Sequence, residues 1–272
     1  MHDKIKPGPG KAPAEGGEIA YLIEGEGPLI ASTHPYGMPR AGYTPLPGYT
    51  MVTVWPRGFG ASSQTRDPND YGFWRLAEDL EAVRRHLELD QWIFLGVSMG
   101  GMTGLVYAVN HPQGLSAFIA DSAAPSHDYI RDPGSVWPEA HATREYEEFL
   151  KAPSMDTYRR FRIRLFGLLG EGNPEARWEG GEARSESNPF AYAQIRYTLP
   201  SFDVRPQLSQ IKIPTLVLSG ENDLWCTPTQ ARIIAYGIPG SLLKVFSNTG
   251  HGVIRSNPEA METVNTFLRS IV

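Results

Sequence analysis

The sequence predicts an α/β protein: a mostly parallel sheet with helices on both faces and a helical insertion in the middle of the chain. Three observations carry that expectation. Short apolar runs of strand length alternate with longer stretches of helical periodicity, as they do where crossover helices join parallel strands. The stretch from Pro125 to Pro206 breaks the alternation, lacking β-type runs and being rich in Glu and Arg. The chain has 272 residues, 41% of them hydrophobic. A chain near that length buries roughly three quarters of its unfolded surface, enough for a full core without staples.

The elements follow in order. Residues 1–16 are basic and rich in Pro and Gly, and read as a loose arm. Ile19–Ile23, Leu29–Thr33 and Thr50–Trp55 read as strands. Between the last two, Met38–Tyr49 holds three prolines and two glycines, so a full helix there is not expected. Gly72–Leu89 reads as a helix with Phe73, Leu76, Leu80, Val83 and Leu87 on one face. Trp92–Leu95 is a strand, Met102–His111 a helix ending before Pro112, and Leu115–Ala120 a strand. Helical patterns at Arg144–Leu150 and Asp156–Leu169 make residues 125–206 an inserted lid, set in a core of residues 1–124 and 207–272. Thr215–Ser219 and Leu242–Phe246 are further strands, and Thr229–Tyr236 and Pro258–Ile271 further helices.

Composition excludes several function classes. Lys plus Arg is 25 against 30 for Asp plus Glu, a net charge of −5 that favours neither nucleic acid nor an anionic membrane. The one cysteine, Cys226, rules out an intrachain disulfide and a cysteine metal cluster. No cofactor or metal is expected. The paired acids Asp67 and Asp70, and Glu78 and Asp79, read as solvated surface. The first residues have no apolar signal core, and no apolar run approaches the roughly 20 residues of a membrane span. A cytoplasmic protein is therefore expected, as a monomer or homodimer.

The sharpest local signal is Gly96-Val97-Ser98-Met99-Gly100, set directly after an apolar strand and before a helix. A serine on so tight a turn sits in a strained backbone, and bulky residues two positions either side collide. The plain alternative, a glycine turn with an N-capping serine, explains the pentapeptide but not its placement. A serine hydroxyl is a weak nucleophile without a neighbouring base. Of the seven histidines, only His251 lies beyond the last strand, in a loop flanked by Gly250 and Gly252. The acid that orients such a base comes from the loop after the Thr215–Ser219 strand. Glu221 and Asp223 both qualify, and Asp223 has the better spacing. Ser98, Asp223 and His251 are thus the catalytic candidates. Cys226 reads as a small buried neighbour of that acid, not a nucleophile.

These segments, together with Arg57-Gly58-Phe59-Gly60-Ala61-Ser62, resemble the α/β-hydrolase superfamily from about Gly17 to Val272. The resemblance implies an α/β-hydrolase fold with a lid. It also implies an oxyanion hole built from the Met99 N–H and one from the loop after Thr33. Relatives usually read His-Gly-x there, whereas this chain reads His34-Pro35-Tyr36-Gly37. Proline has no N–H, so Tyr36 takes the donor position. Substrate-contact candidates are Tyr36 and Arg40 at the pocket mouth, Trp137, Phe161 and Phe166 from the lid, and Trp225.

The chemistry expected is a serine hydrolase cleaving a carboxylic ester or lactone through an acyl-enzyme on Ser98. The aromatic lid suits a bulky or aromatic small molecule. Serine at the nucleophile position disfavours dehalogenase and epoxide-hydrolase chemistry, which needs aspartate there. Three alternatives stand. One is an aminopeptidase resembling proline iminopeptidases, with Glu145, Glu147 and Glu148 as candidate amine ligands. The others are a carbon–carbon bond hydrolase and a non-catalytic ligand receptor on the same fold.

Overall fold

The computed structural model describes residues 5–33, 46–170, 172–180 and 188–271. The strands are β1 (Gly8–Ala14), β2 (Gly17–Gly25), β3 (Leu29–Thr33), β4 (Thr50–Val54), β5 (Trp92–Val97), β6 (Leu115–Asp121), β7 (Thr215–Gly220) and β8 (Leu242–Phe246). The helices are α1 (Phe73–His86), α2 (Met99–Asn110), α3 (Trp137–His141), α4 (Arg144–Lys151), α5 (Met155–Leu169), α6 (Pro174–Gly180), α7 (Pro189–Thr198), α8 (Pro228–Gly237), α9 (Val253–Ser256) and α10 (Glu259–Ser270).

The strands form one sheet in the order β1-β2-β4-β3-β5-β6-β7-β8. β1, β2 and β4 pair antiparallel, and every pair from β4 onward is parallel. Side chains alternate across it, as the period of a strand requires. Ala31, Val52, Phe94, Phe118 and Val217 pack with α1 and α2 on one face. Ile30, Met51, Leu95, Ile119 and Leu216 pack with Val264, Phe267 and Leu268 of α10 on the other. The five residues expected on the apolar face of the first helix, from Phe73 to Leu87, are all buried.

Two expectations are corrected. Residues 8–14 are no loose arm but an edge strand, in register with β2 and with Ala12 fully buried opposite Ile19. Pro9 and Pro13 have no N–H to donate, and an edge strand tolerates this where the position faces away from its one neighbour. Asp79 is not solvated surface. It is buried and takes two hydrogen bonds from Arg57, at 3.1 Å to Nε and 2.6 Å to Nη2. Burial pushes its carboxyl up to about 6 in spite of the guanidinium.

Between β6 and β7 the described residues form α3 to α7 and short 3₁₀ turns. The segment's two ends pair with one another. Val204 N–H donates to Pro125 O at 2.9 Å, and His127 N–H to Phe202 O at 2.8 Å. The chain therefore leaves the sheet after β6 and returns before β7 at one place. α5 opens on a reciprocal cap between Ser154 and Thr157 and ends at Gly170 in the left-handed region, φ 68°.

The order of the strands fixes where a site belongs. Chain direction across the sheet reverses between β3 and β5, and ligands of open α/β sheets bind at the carboxyl ends of strands at such a reversal. Thr33, which ends β3, and Ser98, which follows β5, both lie there.

Candidate active site

Ser98 is the single residue between β5 and α2, at φ 56° and ψ −122°. That conformation is costly for a residue with a Cβ and persists only where its surroundings enforce it. The glycines explain how. A Cβ at Gly96 would overlap the backbone of Gly100, lying 2.6 Å from Gly101 N. A Cβ on Gly100 would overlap the Thr33 hydroxyl. The strand end thus lies directly against the elbow's backbone, and the Thr33 side chain of β3 lies against Gly100. Ser98 N–H donates to the Asp121 carbonyl on β6 at 2.9 Å. Met99 begins α2, where the first N–H groups have no partner within the helix.

His251 lies in the loop after β8, with Asp223 behind it. Its Nδ1 is 3.0 Å from Asp223 Oδ1 and 2.8 Å from Oδ2. Asp223 is buried, and its Oδ1 also accepts from Trp225 N–H at 2.8 Å and Cys226 N–H at 3.0 Å. The carboxylate is thereby held in one orientation, which favours the tautomer with its proton on Nδ1 and the lone pair on Nε2. Glu221, the other candidate acid, instead accepts from Asn248 N–H at 3.2 Å and supports the loop's backbone. Cys226 is buried beside Asp223, and burial pushes its thiol well up, away from thiolate chemistry.

Of the remaining candidates, Trp225 stacks on His251 with ring centroids 5.5 Å apart. Trp137 meets Trp225 edge-on at 5.4 Å and donates from Nε1 to its carbonyl at 3.0 Å. Phe161 and Phe166 are buried among the inserted helices instead. Phe161 stacks on Phe149, while Phe166 lies under the guanidinium groups of Arg162 and Arg177. Tyr36 and Arg40 fall outside the described residues, as does most of the Met38–Tyr49 stretch.

Two features here were not anticipated. Asp121 and Ser122, at the end of β6, hold the backbone that follows His251. The only trace in the sequence is a polar pair closing an apolar run. Arg196 is buried against Trp137, 4.1 Å from its ring, and donates to the Tyr129 hydroxyl at 3.0 Å. Its Nη2 is 3.0 Å from His141 Nε2, and burial together with that cation pushes His141 down to about 3.

Comparison with known proteins agrees with this architecture. A family profile described as "alpha/beta hydrolase fold" matches residues 31–258. The chain belongs to the α/β-hydrolase family. Among its relatives is a proline iminopeptidase of Lacticaseibacillus rhamnosus, 30% identical over 221 residues and 75% of each chain. Another is 3-oxoadipate enol-lactonase 2 of Acinetobacter baylyi, 30% identical over 199 residues, 73% of this chain and 70% of that one. An α/β fold family hydrolase from Bacillus anthracis superposes with a TM-score of 0.76 at 24% identity, covering 97% and 99% of the two chains. As an α/β hydrolase the chain acts on a small molecule. Among the described residues no helix is long and apolar enough to cross a membrane.

Proposed function

We propose that the protein is a serine hydrolase that cleaves a carboxylic ester or lactone. Ser98 Oγ attacks the carbonyl while His251 Nε2 takes its proton. Asp223 holds the Nδ1–H tautomer and stabilises the imidazolium that forms. The Met99 N–H and the Tyr36 N–H hold the oxyanion. The imidazolium then protonates the leaving alcohol, and water, deprotonated by the same imidazole, releases the acid from Ser98. The helical segment 125–206 serves as the lid, with Trp137 and Trp225 walling the pocket. The observations that carry this reading are the Asp223–His251 pair and a serine at positive φ in a glycine-enforced elbow.

A second reading, aminopeptidase chemistry, draws on the proline iminopeptidase among the relatives. A free amine needs a carboxylate inside the lid. Among the described residues, the charged side chains buried in that segment are two arginines, Arg162 and Arg196. Glu148 is spent on the outer surface, on Arg144 at 2.6 Å and Arg160 at 2.7 Å, and neither Glu145 nor Glu147 is buried. A lid whose buried charges are cationic repels an ammonium substrate, whereas a neutral ester or lactone meets no such repulsion.

The test is a substrate panel with Ser98→Ala as control. Expected are multiple turnovers on nitrophenyl esters or lactones, little on prolyl arylamides, and loss of activity and of fluorophosphonate labelling in Ser98→Ala. Ester cleavage that survives in Ser98→Ala within a few fold refutes the nucleophile. Faster arylamide cleavage moves the reading to an aminopeptidase. A single turnover with retained product moves it to a receptor.

A further inference from the structure

The candidate nucleophile and base lie 153 positions apart in sequence, and one residue of β6 bonds both to Ser98 and to the start of α9 just after His251. Asp121 closes that strand and is fully buried. Its carbonyl accepts the Ser98 N–H at 2.9 Å. Its carboxylate reaches the other way: Oδ1 accepts from Val253 N–H at 3.0 Å and Oδ2 from Ile254 N–H at 3.1 Å. The neighbouring Ser122, at φ 51°, donates to Asp121 Oδ1 at 3.0 Å and accepts from Gly252 N–H at 3.0 Å. The three N–H groups directly after His251 therefore all end on Asp121 and Ser122. Ser122 N–H in turn donates to Leu218 O on β7 at 2.9 Å, which anchors the pair in the sheet.

A carboxylate is suited to this place because both of its oxygens accept. The amide of an asparagine has one acceptor, and its NH₂ would face a backbone N–H. The buried charge has a second effect. It attracts a charged His251 electrostatically, from a different element than Asp223. The other groups facing this region are the Trp225 ring and Cys226, whose thiol burial keeps neutral, with Arg196 the cation beyond them. Burial raises the Asp121 carboxyl, while the hydrogen bonds from Ile254, Val253 and Ser122 oppose the rise.

We infer that Asp121 is a positioning residue: it fixes Ser98 through its carbonyl and the His251 loop through its carboxylate, and its charge favours the imidazolium that forms during turnover. The inference rests on the hydrolase reading for its catalytic meaning, but not for its measurement. A misplacement near 1 Å costs roughly 100-fold in rate.

The experiment takes the full chain as wild type, Asp121→Asn and Ser122→Ala. It measures kcat and KM on a nitrophenyl ester and titrates the His251 imidazole by NMR, the signal assigned with His251→Gln. For Asp121→Asn the expectation is a kcat loss of about 10- to 100-fold, KM within about threefold, and a fall of about half to one in the imidazole pKa. Ser122→Ala shows a smaller kcat loss and little change in pKa. A merely structural Asp121 would lower the folded fraction and leave the pKa in place. Asp121→Asn that folds with an unchanged imidazole pKa and wild-type kcat overturns the inference. If Asp121→Asn does not fold, Ser122→Ala decides: a lowered kcat at wild-type KM supports it, and wild-type kcat overturns it. A wild type without Ser98-dependent turnover sinks the hydrolase reading separately, since the NMR titration needs no substrate.

Discussion

Replacing Asp223 by asparagine isolates the tautomer from the rest of the site. The side chain keeps its shape, and the two N–H donors to Oδ1, from Trp225 at 2.8 Å and Cys226 at 3.0 Å, decide its orientation. Only the amide carbonyl can sit there, so the NH₂ is forced into the place of Oδ2, 2.8 Å from His251 Nδ1. A donor now faces that nitrogen. The imidazole must turn its lone pair to Nδ1 and carry its proton on Nε2, where it can no longer accept from Ser98. Such a wrong tautomer lowers kcat by roughly 10⁴, or about 5.5 kcal/mol of barrier. KM should stay within about threefold, because the carboxylate lies behind the base, away from substrate. The assay is steady-state cleavage of a nitrophenyl ester, with circular dichroism confirming that the variant is folded. A folded Asp223→Asn enzyme with kcat within tenfold of wild type refutes the reasoning and returns Glu221 to consideration.

Two further perturbations test the scaffold. His141 ordinarily titrates at 6.5 but is held near 3 in the folded chain, first by burial and then by Arg196. Above pH 6.5 both states are neutral and its contribution is complete. As the pH falls from 6.5 toward 3 the unfolded chain takes up a proton that the folded one refuses, so stability is lost. The loss is on the order of 2–3 kcal/mol at pH 4.5. His141→Gln keeps an acceptor for Arg196 and removes the titration. Urea midpoints at pH 7 and 4.5 should therefore converge by one to a few kcal/mol in the variant, and equal losses in both proteins refute the assignment. Gly96→Ala drives a methyl into the backbone of Gly100, so about 2–4 kcal/mol of stability and the fluorophosphonate labelling should both be lost. Wild-type urea stability of that variant would show that the elbow relaxes freely.

What the sequence disclosed and what it concealed divide along one physical line. Phe73, Leu76, Leu80, Val83 and Leu87 were legible as a buried face because the reason for their burial is the period of their own helix. The elbow was legible for the same kind of reason: Gly96, Ser98 and Gly100 constrain one another within five residues. The order of loops then brought Asp223 and His251 forward as partners without any distance being known. Where a residue's role depends on a partner set by sheet order, periodicity is silent. Pro9 and Pro13 are breakers in a central strand and harmless at the edge, and only the position of β1 in the sheet distinguishes the two. Asp79 shows a surface spacing, yet Arg57, 22 positions earlier, draws it into the core. Trp137 and Phe161 are equivalent as aromatic residues of the insertion, but one meets Trp225 and the other fills the space between helices. Asp121 is the extreme case. Its carboxylate meets N–H groups 132 and 133 positions downstream. β6 lies between β5 and β7 in the sheet, so its last residue is flanked by the serine turn on one side and the acid's strand on the other. A polar residue at the carboxyl end of the strand next to the nucleophile's strand is therefore the place to look for such a brace, once the strand order is known.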